Sequence, residues 1–178
     1  RFIGNDFFLT GYRVFVRYTN KAGKKLRGLY ILKSETDKKK MEIMGNIFTH
    51  YNYTTTDILQ EETGQTKTIS SVKSKLSITI DKAGEGVKLP EQSPFADWNE
   101  ARRFAGPLPF TFTYNVAKKE VLIIEGVREH WAPAPVRVLD YRIDFLNTLE
   151  TDTVVLANAF IIKNIPYYWK KGKKEKWK

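Results

Sequence analysis

The sequence predicts a mainly β (α+β) protein: one domain built as a barrel or strongly curved antiparallel sheet, with two short helices closing an end. Three observations predict it. Apolar and polar side chains alternate with a period of two through most of the 178 residues. Only two stretches suggest a helix, and both are short. Two segments, Val121-Leu122-Ile123-Ile124 and Val154-Val155-Leu156-Ala157, are apolar at every position, as strands covered on both faces are.

Taken in order, Gly11–Thr19 sets Tyr12, Val14, Val16 and Tyr18 on one face and Arg13, Phe15 and Arg17 on the other. Asn20-Lys21-Ala22-Gly23 supplies turn residues, and Lys24–Lys33 returns as the second strand of a hairpin. Met41, Met44, Ile47 and Phe48 then recur at helical spacing, with Thr36 or Asp37 as the N-cap. Tyr51–Gln60 reads as a strand, and Thr66–Asp81 as one long strand in which Leu76, Ile78 and Ile80 alternate with polar residues. Ala83–Pro94 is a loop, a short helix follows near Ala96–Ala105, and Gly106-Pro107-Leu108-Pro109 is a stiff connector. Phe110–Tyr114, Glu120–Glu129, Val138–Phe145 and Thr153–Lys163 complete the strands.

Composition narrows the function classes. The chain is 42% hydrophobic, too apolar for disorder, and has no cysteine. Disulfides, thiolate catalysis, Cys-ligated zinc and iron–sulfur clusters are thereby excluded, and a reducing, cytoplasmic setting is expected. The apolar runs are a few residues long, whereas a membrane-spanning helix needs roughly 20, so no membrane partner is expected. The net charge is +10, and half of it comes from six lysines and one glutamate in Lys170–Lys178. That run reads as a solvated basic tail outside a domain covering residues 1–169. Lysines outnumber arginines 21 to 9, which disfavours bidentate phosphate or base recognition and makes nucleic acid an unlikely partner.

Motifs for chemistry are sparse. The two histidines, His50 and His130, stand far apart with no His-Glu-x-x-His pattern, and no metal or other cofactor is expected. Gly84-Glu85-Gly86 lacks the third glycine and the following helix of a dinucleotide loop. Glu125 and Glu129 share a strand face, as do Asp140 and Asp144, but four strand residues rise about 13 Å, beyond the separation of a glycosidase pair. What remains is a set of polar groups at strand ends and on faces that can turn inward: His50, Tyr51 and Tyr53 after the first helix, Arg13, Arg17 and Arg27 on the first hairpin, and Glu125 after an apolar strand. Aromatic, arginine and histidine side chains around a barrel mouth point to a pocket for a small organic ligand, an anion by its cationic lining.

The segments Gly11-Tyr12-Arg13-Val14-Phe15-Val16-Arg17-Tyr18, Arg27-Gly28-Leu29-Tyr30-Ile31-Leu32 and His50-Tyr51-Asn52-Tyr53 carry a family resemblance. So do Arg102-Arg103-Phe104-Ala105-Gly106-Pro107-Leu108-Pro109-Phe110, Ile124-Glu125-Gly126-Val127-Arg128 and Trp131-Ala132-Pro133-Ala134-Pro135-Val136. Together, from about Gly11 to Phe160, the chain resembles the DUF2071 family of uncharacterised proteins, which is similar to the acetoacetate decarboxylase superfamily. The resemblance implies a β-barrel around a small-molecule pocket. Decarboxylation there would need a Schiff-base lysine beside a second lysine after a Gly-aromatic-Pro turn. The corresponding region, Met41–Thr66, contains no lysine, and His50 and Tyr51 stand at about that place. A binding protein, or an enzyme of another reaction, is therefore the leading expectation. The alternatives are a Schiff-base decarboxylase or aldolase using a displaced lysine, and a nucleic-acid-binding module using the tail. A homo-oligomer is compatible with all three.

Overall fold

The computed structural model describes residues 7–82, 86–104, 108–151, 153–163 and 166–177. In chain order its elements are β1 (Leu9–Thr19), β2 (Lys25–Thr36), α1 (Lys39–Thr49), β3 (Tyr53–Thr55), β4 (Leu59–Thr63), β5 (Thr66–Ser71), β6 (Leu76–Asp81) and α2 (Trp98–Arg102). There follow β7 (Phe110–Asn115), β8 (Glu120–Arg128), β9 (Ala134–Pro135), β10 (Arg137–Ile143), a 3-10 turn at Asp144–Thr148, β11 (Phe160–Ile161), β12 (Tyr167–Trp169) and β13 (Lys173–Lys176). The protein is mainly β with two α-helices among the described residues. The chain divides into two compact units: Arg1–Thr56 with Pro107–Glu129 and Pro166–Lys178, and Asp57–Gly106 with His130–Ile165.

The first unit is a seven-stranded mixed sheet in the order β1-β2-β7-β8-β12, with β3 also on β2 and β13 also on β8. The sheet is open, which corrects the expected barrel: β1 stands at one edge and β12 and β13 at the other. It is also not purely antiparallel. Both β7 and β3 lie parallel to β2, pairing Gly28 with Phe110 and Ser34 with Tyr53. Gly28 makes the first contact possible, because a methyl group there would overlap the Phe110 carbonyl and the Phe112 ring. Opposite β1 the register slips: Tyr12 pairs with Lys33 but Arg13 with Ile31, leaving Leu32 as the extra residue of a bulge in β2. Beyond the bulge the alternation of β2 reverses. Lys33 and Glu35 join Tyr12 on one face, and Ser34 and Thr36 turn toward α1.

Two apolar clusters lie on the two faces of this sheet. Tyr18, Leu26, Phe112, Val121 and Ile123 form one, and Ile31, Tyr51, Tyr53, Leu122 and Ile124 the other. Val121 to Ile124 are all buried, as a strand covered on both sides requires. Each such side chain contributes about 1.5–3 kcal/mol through burial.

The second unit holds a four-stranded antiparallel sheet, β10-β6-β5-β4, and the two-stranded pair β9–β11. The single strand expected over Thr66–Asp81 is a hairpin. Lys75 takes a left-handed conformation, φ 49°, and the Ser71 hydroxyl accepts from Ser74 N–H while donating to Asp57, so the chain reverses between β5 and β6. Thr153–Lys163 is strand only at β11, and Val154 and Val155 are exposed. Their apolar run had suggested a strand covered on both sides, but no ladder forms there. The second helix is short, α2, capped by Asp97, which accepts from the Glu100 N–H at 2.8 Å. The first helix starts without a side-chain cap; Asp37 accepts from Phe8 N–H and Thr36 from Lys38 N–H instead. Gly84, Glu85, Gly106, Pro107 and Lys178 lie outside the described residues.

The lysine run does not form a loose tail. Lys173–Lys176 pairs with Ile123–Glu120 of β8, Lys176 meets Glu120 at 3.1 Å, and Lys170 meets Glu125 at 2.8 Å. Alternation explains it: Glu175 turns to the opposite face from its neighbours, accepting from the Tyr18 hydroxyl and the Lys21 N–H, each at 3.0 Å.

Candidate functional site

The two faces of the seven-stranded sheet differ in what covers them. On the helix face, α1 lies against β2 and β3. Gly45 admits the Tyr53 ring, since a methyl there would overlap it. Asn46 donates to the Tyr53 carbonyl at 2.9 Å and accepts from its N–H at 2.7 Å. The Tyr51 and Thr111 hydroxyls share a hydrogen bond of 2.5 Å, and Thr113 donates to the Thr49 carbonyl. Burial pushes Tyr51 up to about 12 and raises Tyr53, with the charge of Arg13 acting against the rise in both.

Most of the residues expected at a site are found on this face, but not around a cavity. Tyr51 and Tyr53 are core side chains, buried to 3% and 9% exposure. His50 caps the C-terminus of α1 in the left-handed region, φ 53°, and borders only a recess of about 10 Å³ with Asn115, Lys118 and Lys174. That is room for about one water molecule. Arg13 lies close enough for its charge to be felt by Tyr51 and Tyr53. Arg17 and Arg27 are exposed register partners further along the hairpin. Glu125, on β8, is held by Lys170. The structure thus brings His50, Tyr51, Tyr53 and Arg13 into one neighbourhood and leaves the other three outside it.

The aromatic face carries the larger opening. A groove of about 430 Å³ runs between Val16, Tyr18, Tyr30, Phe112, Tyr114, Val121 and Trp177. Its walls are fixed by ring contacts: Tyr18 to Phe112 at 5.5 Å, Tyr18 stacked on Trp177 at 5.8 Å, and Tyr114 edge-on to Trp177 at 6.2 Å. Trp177 is held in place by its backbone N–H, which donates to the Lys119 carbonyl at 2.8 Å. Arg17 also borders the groove; its pairing with Arg27 places its side chain on the other face.

Tyr18 and Trp177 also line a second recess, of about 480 Å³, with Asn20, Lys21 and Lys176. Lys21 is in no ion pair among the described residues, whereas Lys176 is held by Glu120. Burial first, then the hydrogen bond and charge of Glu175, raise the Tyr18 hydroxyl above the ordinary phenol range. It therefore remains a neutral donor at physiological pH. At another part of the sheet, Glu35 is buried and ion-paired with Lys33 at 2.6 Å. The Tyr12 hydroxyl donates to it, and burial followed by that carboxylate pushes Tyr12 up to about 12.

The second unit has its own groove, about 560 Å³, lined by Val87, Leu89, Pro90, Val136 and Leu156 among others. Its Arg137 is taken up by Asp81 at 2.8 Å. Among the described residues no three His, Asp or Glu side chains are grouped to hold a metal ion, and no helix is long and apolar enough to cross a membrane.

Sequence reasoning missed the groove because its signal was the same as that of a core. The alternation of Val16 and Tyr18 and of Phe112 and Tyr114 shows one apolar face per strand, without showing that β2 and β7 are neighbours. Trp177 was hidden among lysines. No protein-family model matches this chain, and neither a curated protein nor a solved structure matches it.

Proposed function

We propose that the protein binds a small organic anion, with the ligand's apolar body in the aromatic groove and its charged end in the adjoining recess near Lys21. The observation that carries this reading is that Tyr18 and Trp177 line both recesses. Rings on three sides offer stacking surface for a flat apolar body. An unpaired ammonium at one end supplies orientation. Glu175 lies beside that end, but its carboxylate is occupied by two donors.

The resemblance to the DUF2071 family, and through it to acetoacetate-decarboxylase-like proteins, supports the same ligand class but suggests other residues. A Schiff-base mechanism would need a lysine whose amine is desolvated. No lysine among the described residues is buried. A nucleic-acid module has less support, since Lys170 and Lys176 are spent on Glu125 and Glu120.

The test is a fluorescence titration with an aromatic sulfonate, 8-anilinonaphthalene-1-sulfonate, beside its uncharged parent amine. Trp177→Ala is expected to weaken both about tenfold or more, the loss of about 1.4 kcal/mol of stacking. Lys21→Glu is expected to weaken only the sulfonate, and less so at high salt. Equal binding by all three proteins would remove the groove from consideration.

A further inference from the structure

We propose that the last turn of α1 and the β7–β8 turn form a docking face for an anionic lipid bilayer, with Ile47, Phe48 and Val116 entering the interface and Lys118 and Lys174 meeting the headgroups. The proposal is independent of the ligand reading above. The expectation of no membrane partner rested on the lack of a spanning helix, which a surface contact does not require.

Val116, Phe48 and Ile47, at 76%, 68% and 64% exposure, are the three most exposed large apolar side chains described in the first unit. They come from two segments far apart in sequence, yet they gather in one place. His50, directly after α1, borders the same recess as Asn115 and Lys118 of the β7–β8 turn. Thr113 ties the two segments together by donating to the Thr49 carbonyl at 3.2 Å. With Gly45 pressed on the Tyr53 ring, Ile47, two residues on, falls on the opposite side of α1. That outward side is where a helix covering a sheet ordinarily carries polar residues.

The cations identify the occupant. Glu120 is the one carboxylate lining the recess, and Lys176 already holds it at 3.1 Å. That hydrogen bond, with the charges of Lys174 and Lys118 behind it, keeps Glu120 below the ordinary carboxylate range. Three lysines thus converge on one acid, and Lys118 and Lys174 are exposed and in no ion pair among the described residues. On α1, Glu42 is taken up by Lys39 and the Thr55 N–H. Shape separates lipid from an acidic protein. The recess between the two segments measures about 10 Å³, too little to seat a side chain. Protein partners draw most of their affinity from anchors that fill pockets. Headgroups and acyl chains instead close round side chains that protrude, as Phe48 and Val116 do.

The test is flotation with vesicles of equal parts phosphatidylcholine and phosphatidylserine, beside vesicles of phosphatidylcholine alone. The mixed vesicles are expected to carry the protein upward and the neutral ones to carry far less. Phe48→Ser with Val116→Ser should lower affinity for the mixed vesicles about tenfold or more. Phe48→Trp should keep it, since indole suits the interface. Lys118→Glu with Lys174→Glu should also lower it about tenfold or more. Lys73→Glu with Lys163→Glu makes the same change of net charge at other exposed lysines, and should lower it about threefold or less. Circular dichroism of each variant should match the parent's, because every residue changed is exposed. No flotation overturns the proposal. So does an equal loss in the Lys73 and Lys163 variant, which would reduce the contact to net charge. Full binding by the serine variant would overturn it too, leaving the apolar residues unused. Retention on immobilised polyglutamate through Lys118 and Lys174, without flotation, would assign the face to an acidic protein instead.

Discussion

The helix face and the aromatic face belong to the same strands, yet one is closed and the other grooved. On the helix face the strands present Ile31, Thr111, Thr113, Leu122 and Ile124, side chains of modest size that α1 and the Tyr51–Tyr53 segment can cover. Hydrogen bonds from Asn46, Thr111 and Thr113 satisfy the polar groups that covering buries. On the aromatic face the strands present Tyr18, Tyr30, Phe110, Phe112 and Tyr114. Flat rings on neighbouring strands meet at edges and tilts, such as the 50° between Tyr18 and Phe112, and leave space between them. Side-chain shape, with no change of backbone, separates a face built for stability from a face able to receive a ligand.

The most damaging way to break this comparison is to spoil the sheet both faces share. Gly28→Val should cost about 3 kcal/mol or prevent folding, because the added carbons collide with β7 backbone that cannot give way; urea unfolding checks it, and a loss under about 1 kcal/mol would mean that β2 and β7 are not that close. Next in size is a paired truncation. Ile31→Ala, on the closed face at 1% exposure, is expected to cost about 2–5 kcal/mol. Val16→Ala, on the groove, should cost about 1 kcal/mol or less, since half-buried carbons lose less transfer energy and leave no sealed cavity. Equal losses would erase the distinction between the faces.

The smallest effect concerns protons. Tyr51 is raised by burial to about 12 in the folded protein, so it contributes stability below pH 10 that is lost as pH rises toward 12. Tyr51→Phe should therefore cost about 0.5–1.5 kcal/mol near neutrality, the worth of its hydrogen bond with Thr111, and become the more stable protein by pH 12. Denaturant midpoints of the two proteins across pH 7–12 should cross; parallel curves would mean that Tyr51 is not sealed under α1.

Much of the local structure was legible in the sequence and little of the long-range pairing. Alternation in Gly11–Thr19 located the first hairpin, the Met41-to-Phe48 spacing located α1, and Val121–Ile124 announced a strand buried on both sides. These are properties of neighbouring residues. The β5–β6 turn was not visible, since Val72-Lys73-Ser74-Lys75 carries neither glycine nor proline, and a left-handed lysine leaves no compositional mark. The strand at Lys173–Lys176 was masked by charge, because a lysine run reads as solvated unless its partner glutamates, here Glu120 and Glu125, are known to be adjacent. The candidate site suffered most. His50, Tyr51 and Tyr53 drew notice by being chemically varied within a few residues, but Tyr51 and Tyr53 are packed and His50 ends a helix. Groove residues, ordinary taken singly, acquire meaning only through the β2–β7 neighbourhood.

That neighbourhood also sets a timetable. Gly28 must find Phe110, and β8 must wait for strands that follow it by some forty residues. Such distant pairings close slowly, and an intermediate holding only the β1–β2 hairpin would show the unpaired margins of both strands to its surroundings. On the ribosome that interval lasts while more than seventy residues are made. Production of this protein is thus expected to be limited by capture of an early hairpin rather than by the stability of the finished sheet, and slowing initiation or lowering temperature should recover more native protein than any core-stabilising substitution.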